Sequence, residues 1–122
     1  MAYDEYLADR IRQLLADRHV TAVEKKMMGG LCFMVQDKMC AGIVGESLMA
    51  RIDPALYDQA LTRTGAREMD FTGRPMKGFL FIEPEGIDDD EDLQHWLQLC
   101  LDYNPRAKAS RRKKPSGERK RP

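Results

Sequence analysis

The sequence predicts an α+β fold in two layers, an antiparallel meander sheet flanked by helices. Three observations predict it. Apolar residues recur at helical spacing near both ends of the body, short apolar runs broken by turn residues fill the stretch between, and strands do not alternate with helices as a parallel nucleotide-binding fold requires. At 122 residues the chain has room for one hydrophobic core, because a second needs roughly another 100 residues.

The first helix is expected from Asp4 to Arg18. Tyr3, Leu7, Ile11, Leu14 and Leu15 share one side at spacings of three and four, and Asp9, Arg10, Arg12, Gln13 and Asp17 take the other. Acids in the first turn, with Arg18 and His19 in the last, match the helix dipole. From Val20 to Ile52 the period shortens. Leu31–Val35, Met39–Val44 and Leu48–Ile52 read as consecutive antiparallel strands, after an earlier strand at Val23–Met28 and a bend or bulge at Gly29 and Gly30. Asp37 and Lys38 are expected to close the first hairpin, which sets Val35 opposite Cys40. Gly45 and Glu46 suit the second, since glycine in the first central position allows the positive φ of a type II′ turn.

Asp53 before Pro54 marks a new helix start, where the carboxylate caps free N–H groups and proline loses no internal hydrogen bond. This helix uses Leu56, Tyr57, Ala60 and Leu61 and stops at Gly65. After a polar loop, Phe79–Ile82 reads as a further strand, with a start as early as Met76, and Pro84 ends it. Leu93, Trp96, Leu97, Cys100 and Leu101 then mark one face of a third helix, with Asp88 to Asp92 at its N-terminus and Asn104–Pro105 at its stop.

Several segments in order resemble the TfoX N-terminal domain family: Lys26-Met27-Met28-Gly29-Gly30, then Phe33 and Val35, then Asp37-Lys38-Met39, then Leu48-Met49-Ala50-Arg51-Ile52-Asp53. Met76-Lys77-Gly78-Phe79-Leu80-Phe81 and the acidic lead into the Trp96 helix fit the family's second half. The resemblance covers residues 24–104. It implies a fold similar to secretion chaperones and kinship with regulators of bacterial DNA-uptake competence. Those longer regulators carry a second, C-terminal domain, where this chain has a basic tail.

Charge divides the chain at that tail. Residues 106–122 hold nine Lys or Arg and one acid, net +8, whereas residues 1–105 hold 11 basic and 19 acidic side chains, net −8. The expected organisation is a family-like domain over 1–105 and a basic tail over 106–122 that is disordered when free, because it has no large apolar residue to offset ordering entropy. No run approaches the roughly 18 apolar residues of a membrane span, and Asp4 and Glu5 replace the basic start of an export signal. A cytoplasmic location, no membrane partner and reduced thiols follow as expectations.

Candidate chemistry is sparse. His19 and His95 lack a second good ligand at helical spacing, and Cys32, Cys40 and Cys100 form no C-x-x-C pair, so no metal and no cofactor is expected. His95 reads as a surface histidine and the cysteines as small buried hydrophobes. The Asp88–Asp92 run misses the spacing of a calcium loop and suits helix capping. Gly29–Gly30 lacks the lysine and hydroxyl of a phosphate loop. Met27, Met28, Met34, Met39 and Met49 either fill an irregular core or line an adaptable surface.

The expected function is therefore a non-enzymatic regulatory or binding module. Its protein partner is unidentified and its oligomeric state open, and the tail adds sequence-tolerant contact with DNA or RNA. Arg111, Arg112, Lys113, Lys114, Arg119, Lys120 and Arg121 carry that contact, by neutralising phosphates without aromatic residues to stack on bases. The alternatives are a purely protein-binding adaptor, using a sheet edge or the third helix with Leu99, and a thiol enzyme built on Cys32 or Cys40.

Overall fold

A computed structural model describes residues 3–27, 29–69 and 78–107. Helix α1 (Glu5–Asp17) starts where Asp4 accepts the N–H groups of Tyr6 and Leu7 at 2.9 and 3.2 Å. It ends in two bonds that fold the last turn back, His19 N–H to Ala16 O and Val20 N–H to Leu15 O. His19 sits beyond the helix with φ +58°, in the left-handed position that glycine usually takes. Its place is thus fixed by the stop and not by the dipole.

Strands β1 (Val23–Met27), β2 (Gly30–Val35), β3 (Lys38–Val44), β4 (Ser47–Arg51), β5 (Ala66–Glu68) and β6 (Phe79–Ile82) form one antiparallel sheet in the order β1-β2-β3-β4-β6-β5. The expected meander is present. Its first turn lies one residue earlier than the sequence suggested: Gln36 and Asp37 are the central pair, both at positive φ, and Val35 faces Lys38. A bulge between Phe33 and Met34 then shifts the pairing by one residue, so that Phe33 faces Ala41. Cys40 is the extra residue, so it faces no partner across the hairpin, and it joins Ala41 on the same core. Gly45, at φ +60°, makes the second turn as expected. Gly30 is fixed by packing, since a Cβ there would lie 1.9 Å from the Ile43 carbonyl oxygen.

After β4, Asp53 accepts the Ala55 N–H at 2.9 Å and opens a 3-10 turn, Pro54–Leu56, that leads into the single turn of α2 (Tyr57–Ala60). Residues 66–75 were expected to be loop, yet Ala66–Glu68 pairs with β6. A three-residue edge strand held by backbone bonds shows no apolar alternation. Helix α3 (Asp90–Tyr103) buries Leu93, Trp96, Leu97 and Cys100. Its N-cap, Asp89, makes no side-chain cap bond; the acidic run instead serves the dipole and ion pairs, with Arg10 to Asp90 at 3.0 Å and Arg63 to Asp92 at 3.6 Å.

All three helices pack on one face. Leu7, Ile11 and Leu15 of α1, Tyr57 and Ala60 of α2, and Leu93, Trp96 and Leu97 of α3 meet Leu31, Phe33, Ile43, Leu48, Ala50, Leu80 and Ile82 in one core. The opposite face carries a second buried cluster, Cys32, Met34, Met39, Met49, Met69 and Phe81. Three of the sequence's candidate methionines therefore fill a core, Met27 is exposed on β1, and Met28 lies outside the described residues.

Candidate functional site

The short α2 turn and α3 leave a groove between them. Leu56, Gln59, Ala60, Thr62, Arg63, His95 and Leu99 line a recess of about 250 Å³, and Thr62, Arg63, Thr64, Gly86, Asp92 and Trp96 line another of about 280 Å³. Arg63 stands in both. Its guanidinium lies 5.7 Å from the centre of the Trp96 ring, within cation–π range. Its polar contact among the described residues is the ion pair to Asp92 at 3.6 Å, longer than a hydrogen bond, so its donors stay available to a ligand. Beside it, Leu56 is 38 % exposed and Leu99 half-buried.

His95 borders the apolar recess and meets the Trp96 ring edge-on, with centroids 5.8 Å apart. Burial lowers its pKa first, and the nearby Arg63 charge adds to that. It is therefore a surface residue as expected, and also a neutral wall of the groove at neutral pH. The groove can hold an aliphatic side chain next to a carboxylate, the first against Leu56 and Leu99 and the second on Arg63.

A third recess, about 400 Å³, lies where the end of α1, the β2–β3 turn and the end of α3 meet, lined by His19, Val20, Thr21, Val35, Gln36, Leu101, Asn104 and Pro105. Asn104 is buried there, donating through Nδ2 to the Val35 carbonyl at 3.1 Å, while its Oδ1 has no partner. Lys38 Nζ donates to the carbonyls of Asn104 and Pro105 at 3.2 Å each, and Arg106 meets Asp53 at 2.9 Å. Packing continues through Ala107, which is buried.

The thiols offer little nucleophilicity. Cys32, Cys40 and Cys100 are free and buried. Burial raises all three pKa values, that of Cys40 to about 12 and that of Cys100 well above its ordinary range. A thiol held protonated is a poor attacking group. Among the described residues no three His, Cys, Asp or Glu side chains are grouped to hold a metal ion, and no helix is long and apolar enough to cross a membrane.

The tail residues Arg111, Arg112, Lys113, Lys114, Arg119, Lys120 and Arg121 lie outside the described residues. The sequence pointed to Leu99 but missed its neighbours in the groove. Leu56 was read as part of an apolar helix face, and Arg63 had no visible role. The turn after α2 packs Thr64 and Gly65 against Gly86, Arg63 just before it lies over Trp96, and that juxtaposition is tertiary.

Comparison with known families matches residues 13–103, 91 of the 122, to the TfoX N-terminal domain. The chain belongs to that family. Neither the curated proteins nor the solved structures contain a match. The match runs from the middle of α1 to the last residue of α3, so the whole sheet and the α2–α3 groove are part of the TfoX N-terminal domain. Membership places the chain in a competence-related, regulatory family that is generally not enzymatic.

Proposed function

We propose that this TfoX N-terminal domain is a non-enzymatic regulatory module that docks an acidic and apolar segment of a partner protein in the α2–α3 groove. The observation that carries this reading is Arg63, stacked on Trp96 with its donors unspent, between the aliphatic side chains of Leu56 and Leu99. An interface anchor of this kind pairs an arginine with apolar contact area. The burial of the thiols supports a role without covalent chemistry. In the same reading, the basic tail adds sequence-tolerant contact with nucleic acid while the body supplies the specific contact.

The test is capture from a cell lysate of the organism with wild-type protein and with Arg63→Glu and Leu99→Asp, each with and without nuclease. A protein retained by the wild type, lost by both variants and indifferent to nuclease supports the groove. Equal capture by all three proteins would refute it.

A further inference from the structure

We infer that the outer edge of β1 is a self-complementary interface, through which two copies of this chain join their sheets about a two-fold axis at Lys25. The two edges of the sheet differ. On one side β5 has three residues; on the other β1 has five, all exposed, and no described strand pairs with its outer side. Val23, 58 % exposed, and Met27, 37 % exposed, are two of the four large hydrophobic residues left open to solvent among the described residues. Both lie on β1, two residues either side of Lys25, and hence on the same face as it.

Backbone alternation fixes which residues of β1 can bond outward. Gly45 and Glu46 form a two-residue loop closed by Val44 and Ser47, so Val44 and Gly42 turn their N–H and C=O toward β4, and Ile43 turns its own toward β2. Ile43 faces Leu31, so Leu31 is turned to β3 and Cys32 and Met34 to β1. Cys32 faces Lys25 and Met34 faces Val23. Lys25 and Val23 therefore spend their backbone groups inward. Glu24 and Lys26 present theirs outward.

An antiparallel copy centred on Lys25 sets Glu24 opposite the partner's Lys26, and Lys26 opposite the partner's Glu24. These are the two positions with free backbone groups, so the bonded pairs are also the charge-complementary pairs. The same register sets Val23 against the partner's Met27 and the reverse, covering the two exposed apolar side chains. A slip of one residue along each strand's own length, to a centre at Glu24 or Lys26, sets Glu24 against its copy or Lys26 against its copy, like charge on like. Centres between residues fail the backbone alternation. One unfavourable contact remains, Lys25 facing its copy on the axis. Glu24 already accepts two guanidinium bonds from Arg12, from Nε at 2.7 Å and Nη2 at 2.8 Å, which hold its carboxylate in place beside the edge. The axis stands perpendicular to the sheet, so the helices of both copies lie on one side of a continuous twelve-stranded sheet made of two six-stranded ones.

The strand is short, so association is weak and is to be sought up to about 1 mM chain. The experiment is sedimentation of the full chain over that range, alone and as Glu24→Lys, Lys26→Glu and their equimolar mixture. Each variant repels itself at both charged pairs, and the mixture restores attraction at both. The expected result is a concentration-dependent wild-type dimer, a dissociation constant raised about tenfold or more in each variant alone, and recovery on mixing. Lys25→Thr should tighten the dimer about two- to fivefold by removing the contact on the axis. In amide exchange, the Glu24 and Lys26 N–H groups should gain protection as concentration rises. A wild type that stays monomeric, a dimer indifferent to both substitutions, or variants that fail to pair on mixing would each overturn the inference. Protection of Glu24 and Lys26 that does not vary with concentration would assign the edge to a segment of the same chain and would equally overturn it.

Discussion

Trp96 is the largest of the fully buried side chains, 1 % exposed, and it serves both the core and the groove. One side packs under the sheet and the other supports Arg63 and His95. Trp96→Ala is expected to destabilise the fold by about 3–5 kcal/mol, read from chemical denaturation, because the cavity adds to the lost transfer energy. Among the described residues, Glu24, Asp53 and His95 have lowered pKa values that bear on the response to acid. Arg12 hydrogen-bonds hold Glu24 below the usual carboxylate range, and the Ala55 N–H followed by Arg106 does the same for Asp53. A lowered carboxylate stabilises fully above its unfolded value, about pH 4–4.5, and that contribution is lost as pH falls through the native value. His95 is also lowered, so below about pH 6.5 the unfolded chain takes up its proton first and stability declines. Melting temperature should therefore fall gently below about pH 6.5 and more steeply below about pH 4.5. Glu24→Gln should flatten the steep part, and an unchanged acid limb would remove Arg12–Glu24 from the account.

Among the elements, helix ends and turns carry the lessons. The stop of α1 places a β-carbon in the left-handed region at His19, where glycine fits without strain. His19→Gly is expected to raise stability by about 1 kcal/mol in thermal or chemical unfolding, and a loss would show that the imidazole has a role in the recess it lines. The three long apolar patterns were legible because burial imposes their period directly: α1, the β2–β4 meander and the α3 stripe all follow it. The β2–β3 turn was not, since Gln36 and Asp37 give a weaker signal than Asp-Gly and the bulge at Cys40 adds a register shift no local pattern shows. Strand β5 was invisible for a related reason, as Arg67 is held by Glu83 and the Phe81 ring and not by apolar burial of its own. The groove stayed hidden because it is formed by two elements distant in sequence. Charge placement at the tail, by contrast, is read from sequence alone.

For the molecule as a whole, the net −8 of residues 1–105 opposes approach to a polyanion, so any affinity for duplex is expected to reside in the tail. With about six phosphates neutralised, log affinity should fall against log salt with a slope of roughly −5. Truncation after Ala107, which keeps the Arg106–Asp53 pair, should abolish binding of a labelled duplex at low salt; equal binding by the two forms would relieve the tail of that role. The placement of the thiols has a further consequence. Cys32 lies in the cluster on one side of the sheet, and Cys40 and Cys100 lie in the core on the other. Each becomes reactive only when its own side opens, so slow alkylation of native protein, followed residue by residue in a mass spectrometer, turns the three into clocks for two layers. The Cys32 side is the smaller cluster and should run faster. Identical rates at all three would mean that the two layers part in a single concerted breath.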